Sequence, residues 1–269
     1  MTFTHPSSVP IEQGSMEQTI RAYCKLLSLP VVAQTYETIA MNAKKAKLGY
    51  QEDLYKVLQE QVIARVDNSV NSRIKKARFP FLKTLEEFDF RYQPQLDEKL
   101  IRELATLNFL KTAFNVLFIG PPGVGKTHLA VALGLKAASA RKRTLFYTAE
   151  ELVNELIAAE VSKRLAQFLD TLSRIDLLII DELGYLQMTP PSAALFFRLI
   201  TKRYEKGSVI VTSNRPFEEW GNIFGDDVVA AAILDRLLHH SYPFLIQGKS
   251  YRMKEIFGQK KLEKKTRVE

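Results

Sequence analysis

The chain has 269 residues, 46% hydrophobic and 25% charged, a globular composition that excludes wholesale disorder and suffices for one large domain or a smaller pair. Lys and Arg number 38 against 30 Asp and Glu, a net charge of +8 that favours polyanionic partners. A single cysteine, Cys24, excludes an intramolecular disulfide and a cysteine-based zinc cage, and no apolar run approaches the ~18 residues that span a bilayer.

The opening stretch, MTFTHPSSVPIEQGS, has neither a basic start nor an apolar core, so residues 1–15 read as a flexible lead-in to a cytosolic protein of a reducing compartment. From residue 16 to about 77 the only proline is Pro30, and Leu54, Val57, Leu58, Val62 and Val66 recur at three- and four-residue steps. That period predicts amphipathic helices at about 17–28, 31–46 and 51–77, a small all-helical N-terminal domain over 16–78. RFPFLKTLEEFDF follows, with Pro80 ending the helix and Phe79, Phe81, Phe88 and Phe90 marking a connector, 79–94, that packs on something. A further helix is expected at about 95–106.

Beyond it, NVLFI (115–119), RTLFYT (143–148), DLLIID (176–181), SVIVTS (208–213) and PFLIQ (243–247) alternate with helical stretches. Their hydrophobicity is continuous, so both faces of each strand are buried, which implies a parallel five-stranded α/β sheet covered by helices.

The first of these strands runs into Gly120-Pro121-Pro122-Gly123-Val124-Gly125-Lys126-Thr127 and then, from His128, into a helical stretch, and residues 120–128 are the expected nucleotide-binding set. This is the G-x-x-x-x-G-K-[ST] loop, whose glycines let successive backbone amides turn inward around a phosphate chain at the positive end of a helix. Lys126 is expected to reach the β and γ phosphates of ATP, and the Thr127 hydroxyl to ligate Mg²⁺. The strand DLLIID ends in Asp181 and Glu182, at the strand end where such sheets bind ligands. Asp181 is the second expected Mg²⁺ ligand, and Glu182 the general base for the attacking water.

Asn214 ends the next strand. Its amide either positions water or senses the γ-phosphate, or else it caps the turn before Pro216. Arg236, in AAILDRLLHH, either enters a neighbouring subunit's nucleotide site or pairs with an acid on its own helix surface, and Arg252 in GKSYR poses the same choice. His239 and His240 have no companion at metal spacing in the sequence and read as helix-end residues.

Charge partitioning locates a second candidate surface. Residues 1–110 carry 15 basic and 13 acidic side chains, residues 111–248 carry 15 and 14, and residues 249–269 carry 8 and 3, which makes the end of the chain a basic tail, 258–269. Within the near-neutral first segment, RVDNSVNSRIKKAR gathers Arg65, Arg73, Lys75, Lys76 and Arg78 against the single acid Asp67. This helix end either lines a DNA phosphate backbone, with Lys44, Lys45 and Lys47 adding to it, or is a solvated basic face. No pattern for base-specific readout is present.

The order of strand, phosphate loop, Asp-Glu strand, Asn strand and Asp-Arg helix over about 100–257 resembles an AAA+ ATPase. VLFIGPPGVGKTHLA, LLIIDELGYL, VIVTSN, LDRLLHH and SYR are similar to the DnaC and IstB branch, relatives of the DnaA initiator. The helical module followed by ARFPFLKTLEEFDF resembles the IstB transposition helpers, encoded beside the transposase in bacterial insertion sequences. The resemblance covers about residues 16–257. It implies an AAA+ domain over 95–257 without a full C-terminal lid, which leaves Arg252 without the lid context of a sensor. It also implies Arg236 as a finger acting across subunits of a homo-oligomer, and an ATP-dependent protein that binds and deforms duplex DNA and recruits its cognate transposase. A DnaC-like helicase loader is the alternative. A small-molecule kinase fits less well, because strand-end Asp-Glu and Asn suit water activation rather than transfer to a bound acceptor.

Overall fold

The computed structural model describes residues 15–248, 250 and 251. Most of the expected lead-in, the basic tail and Arg252 lie outside these residues. By its contacts the chain divides into two compact units at Ser69 and Val70, inside the third helix rather than after residue 78.

The first unit contains α1 (Met16–Leu26), α2 (Pro30–Lys45) and most of α3 (Tyr50–Lys76). Ser15, grouped by sequence with the lead-in, starts α1 through a capping box with Gln18, so two end groups are satisfied reciprocally. At α2, Pro30 occupies the first turn, and the buried Gln61 of α3 accepts from the backbone N–H of Val31 at 3.0 Å. A side chain from a neighbouring helix thus does the work of a cap. Arg65 donates to the Ser28 carbonyl at 2.7 Å, beyond the end of α1.

The second unit contains, in chain order, α4 (Glu98–Leu104), β1 (Asn115–Ile119), α5 (Lys126–Ser139), β2 (Thr144–Thr148), α6 (Ala149–Val161), α7 (Leu165–Ser173), β3 (Leu177–Asp181), α8 (Pro190–Arg203), β4 (Ser208–Ser213), α9 (Trp220–Phe224), α10 (Asp227–Leu238) and β5 (Ser241–Leu245). The strands form one parallel sheet in the order β2-β3-β4-β1-β5. The connection from β1 to β2 crosses to the far edge, and β3 and β4 then fill the space back toward β1. This crossing leaves the ends of β1, β4 and β3 side by side, the position where parallel sheets hold ligands.

Residues alternate between two cores along β1 to β4, whereas in the edge strand β5 only Phe244 is buried and Leu245 is exposed, so the expected burial on both faces does not extend to it. Leu117, Leu178, Ile180, Val209 and Val211 face α6–α10, whereas Val116, Phe118, Ile179 and Ile210 face α5 and the segment that precedes β1. Burying each such side chain contributes roughly 1.5–3 kcal/mol, so burial on both faces drives formation of the sheet. The segment 79–94 belongs to the second core: Leu85 is buried, and Phe79, Phe88 and Phe90 pack against it. It is a strap across the α5 side of the sheet, and the surface it packs on is this second core.

β5 begins two residues before the apolar run that predicts it, because its register follows Asn115–Ile119 and not its own hydrophobicity. Pro243 is accommodated because β5 is an edge strand. On the opposite edge, Phe146 of β2 donates its N–H to the Ala77 carbonyl at 2.8 Å.

Candidate functional site

β1 delivers the chain into the glycine loop, and α5 begins at Lys126. Gly125 caps that helix at φ 101°, a left-handed conformation that only glycine adopts cheaply, and a Cβ there would stand 2.5 Å from the Phe88 ring. Gly123, at φ 81°, would collide with Ser250 in the same way. The loop is therefore wrapped by its own neighbours on one side and opens on the other into a cavity of about 510 Å³, within the range of small-molecule sites. Lys126 Nζ donates to the carbonyls of Gly120 and Pro121 at 2.7 and 2.9 Å.

Behind the loop the strand tips interlock. The Thr127 hydroxyl donates to Asp181, with 3.0 and 3.1 Å to its two oxygens, and the Thr212 hydroxyl donates to Asp181 Oδ1. Thr212 also accepts from the Glu182 N–H at 3.0 Å. Asp181 is buried, and this burial raises its pKa; the charge of Glu182 adds to the rise, while the two hydroxyls oppose it. Glu182 turns out of the strand with φ 63°, and its exposed side chain lines the cavity. A buried carboxylate and an exposed one thus stand on consecutive residues, the first suited to a metal ion and the second to water.

Asn214 lines the cavity, and its Oδ1 is buried with no hydrogen-bond partner. The turn before Pro216 is held by Ser213, whose Oγ accepts from the Arg215 N–H at 3.1 Å. Gly184 makes room for Asn214, since a Cβ there would lie 2.0 Å from Oδ1. Such an unsatisfied acceptor suits a ligand or an ordered water.

Two contributions were missed in the sequence. Thr212 sits within an apolar strand and reads as a packing residue. The strap supplies Phe81, Lys83, Phe88 and Tyr92 to the cavity, and Tyr251 faces Tyr92 edge-on with ring centroids 5.2 Å apart. The dense aromatics of 79–90 were the available signal. His128, the last residue of the expected nucleotide-binding set, also lines the cavity, donates from Nε2 to the Thr84 carbonyl at 2.7 Å, and packs against Phe88; burial lowers its pKa.

The other candidates fall elsewhere. Arg236, half-buried on α10, stacks on Phe197 at 4.8 Å, donates to the Ala232 carbonyl at 2.8 Å, and does not line the cavity of its own chain. Arg65 belongs to the first unit; Arg73, Lys75, Lys76 and Arg78 belong to the second. Lys44, Lys45, Lys47, Lys75 and Lys76 are exposed and Arg73 is half-buried. Arg78 is engaged within the chain, paired with Glu155 at 2.8 Å and stacked over Tyr147 at 5.1 Å. Its side chain is nonetheless 55% exposed.

The family model for IstB-like ATP binding protein matches residues 22–258. The chain belongs to that family. It is 51% identical over 219 residues to a Pseudomonas aeruginosa protein named for insertion sequence IS21 and for ATP binding, covering 81% of this chain and 83% of the relative. A Geobacillus stearothermophilus relative, named for insertion sequence IS5376 and for ATP binding, is 44% identical over 240 residues, covering 89% and 96%. The fold is that of the AAA+ P-loop proteins: DnaI superposes with a TM-score of 0.51 at 22% identity over 61% of this chain and 90% of DnaI. AMPPCP-bound DnaA from Aquifex aeolicus superposes with a TM-score of 0.51 at 23% identity, covering 67% of this chain but only 55% of the DnaA chain. This chain is thus a member of the IstB-like ATP-binding family with an AAA+-type P-loop fold, and among its described residues no helix is long and apolar enough to cross a membrane.

Proposed function

We propose that the protein is a Mg²⁺-dependent ATPase that assembles on duplex DNA and serves a transposase, with hydrolysis releasing the assembly. The observation that carries this reading is the linked set Thr127, Asp181, Thr212 and Glu182 at the end of the phosphate loop. A hydroxyl and a buried carboxylate within 3.0 Å of each other are the donor set for Mg²⁺, and a coordinating ion would replace the hydrogen bond between them. When bound, Mg²⁺ neutralises charge developing on the transferred phosphoryl group.

The chain's own residues do the rest. The loop amides and Lys126 orient the phosphates, and the strap and Tyr251 enclose the rest of the nucleotide. Glu182 accepts a proton from water, and Asn214 Oδ1 accepts the second hydrogen bond that holds that water in line. Arg236 lies outside the cavity of its own chain, which supports a role in a neighbour's site within a homo-oligomer. The insertion-sequence relatives at 51% and 44% identity support the transposition setting over a helicase loader. DNA binding rests on the exposed Lys75 and Lys76 and on Arg73, and bending of DNA and recruitment of the transposase rest on the family resemblance.

The test is Glu182→Gln with ATP, Mg²⁺ and duplex DNA. The variant binds ATP, hydrolyses it at least ~100-fold more slowly, and accumulates on DNA. Turnover at the wild-type rate would remove Glu182 as the base, and DNA binding indifferent to ATP would remove the switch.

A further inference from the structure

At the opposite end of the sheet, the loops that lead into β4 and β5 bring together residues far apart in the sequence. Glu205, just after α8, meets His239 and His240 at the end of α10, with one donor atom from each within 4.8 Å of the others. The two imidazoles stand side by side, centroids 4.0 Å apart, and His240 Nε2 is 3.5 Å from Glu205 Oε1. The fold supplies a companion that the spacing of the histidines alone does not predict.

We propose that Glu205, His239 and His240 form a binding site for a borderline divalent cation of the Zn²⁺ type, which ties the end of α8 to the end of α10. Two imidazoles and one carboxylate suit Zn²⁺, Cu²⁺ or Ni²⁺ and disfavour Mg²⁺, which prefers oxygen ligands. The site is thereby chemically separate from the pair Thr127 and Asp181. A ligating histidine generally has its second ring nitrogen held by a hydrogen bond. His239 meets that condition when it binds through Nε2, since its Nδ1 lies 2.6 Å from the Tyr204 hydroxyl. His240 is oriented by the Phe114 ring, 5.1 Å away. Tetrahedral ligands with ~2.05 Å bonds lie ~3.4 Å apart, so His240 Nε2 and Glu205 Oε1, at 3.5 Å, already have that spacing, and pairs as wide as the 4.8 Å limit close by at most ~1.4 Å. Glu205 and His239 are exposed and can shift to do so.

The position gives the site a consequence. His239 and His240 follow Arg236 by three and four residues, one helical turn along α10, and Phe197 beneath the Arg236 guanidinium belongs to α8. A cation bridging the two helix ends holds the platform on which Arg236 is presented.

The test uses the full chain without a histidine tag, free of nucleotide, titrated with Zn²⁺ by calorimetry and with Co²⁺ by visible absorption. One Zn²⁺ per chain is expected, with a raised melting temperature and a tetrahedral Co²⁺ band. His239→Gln and Glu205→Gln, both exposed positions, should each weaken Zn²⁺ by roughly 10-fold or more, while Asp181→Asn leaves it unchanged. Unaltered Zn²⁺ affinity in His239→Gln, or binding abolished only by Asp181→Asn, overturns the proposal. Retained ATP binding in the His239→Gln variant shows that it is folded, and that readout does not depend on the cation site.

Discussion

The Thr127 hydroxyl reaches both carboxylate oxygens of Asp181, at 3.0 and 3.1 Å, across 54 residues of sequence. The start of α5 and the tip of β3 are thus coupled by the same two side chains that would hold the metal ion. Anything that disturbs one strand tip is felt at the phosphate loop.

Thr212→Val keeps the volume of the side chain and removes the hydroxyl that serves both Asp181 and the Glu182 N–H. Apparent Mg²⁺ affinity and turnover should fall about 10–100-fold, as for other supports of metal ligands, while ATP binding without Mg²⁺ persists. Wild-type Mg²⁺ dependence measured by steady-state hydrolysis would show that Thr212 is only a packing residue.

Burial holds the Asp181 carboxyl above its ordinary range. Because the folded value exceeds the unfolded one, the folded state retains the proton to higher pH, and the metal-free protein loses stability as pH rises through that interval. Mg²⁺ binds the charged form, so its affinity should weaken on acidification at a higher pH than a solvated carboxylate requires. Titration of Mg²⁺ against pH checks this; an affinity flat down to the usual carboxylate range contradicts it, and Asp181→Asn should abolish the trend.

Arg203 is buried and donates to the carbonyls of Leu172, Ile175 and Ser208, three chain segments that converge beneath β3 and β4. Burial pushes it down to about 10, so it remains charged at neutral pH. Arg203→Met leaves those carbonyls unpaired and should cost ~3 kcal/mol or more, a fall of roughly 6–12 °C in melting temperature. A shift below ~2 °C by calorimetry would mean that the carbonyls find other donors.

Lys75 and Lys76 are exposed at the end of α3, whereas Arg78 is held by Glu155 and Tyr147. Lys75→Glu with Lys76→Glu should lower DNA affinity and make its salt dependence shallower, by about one unit of slope for each phosphate that is no longer neutralised. Arg78→Ala should leave the slope unchanged. A reversed pattern would place the DNA at the strap side of α3's end.

Much of this was legible in the sequence, for reasons visible in the molecule. Strands buried on both faces must be continuously apolar, so β1 and β4 were read to the residue; Lys126 and Thr127 follow from a loop whose spacing is set by phosphate geometry, and Asp181 and Glu182 from the acidic end of an apolar strand. Helix periodicity located α3, but Leu54, Leu58 and Val62 of that stripe are exposed while Gln61 is buried. Three helices offer too little interior to cover it, and the polar Gln61 is drawn inward to cap α2. Thr212 and the strap escaped because their roles depend on which strand lies beside which, and β4 enters between β1 and β3 only through tertiary crossing. The pairing of the exposed Arg78 with Glu155 was not legible because the two lie 77 residues apart.

The two edges of the sheet carry one further consequence. At β2 the Phe146 amide is taken by the Ala77 carbonyl, and at β5 Pro243 has no amide to offer. Neither margin presents an unbroken row of hydrogen-bonding groups to an incoming strand. In the proposed assembly on DNA, contacts between copies of the chain are thereby left to helices and loops rather than to a sheet continued from one copy into the next.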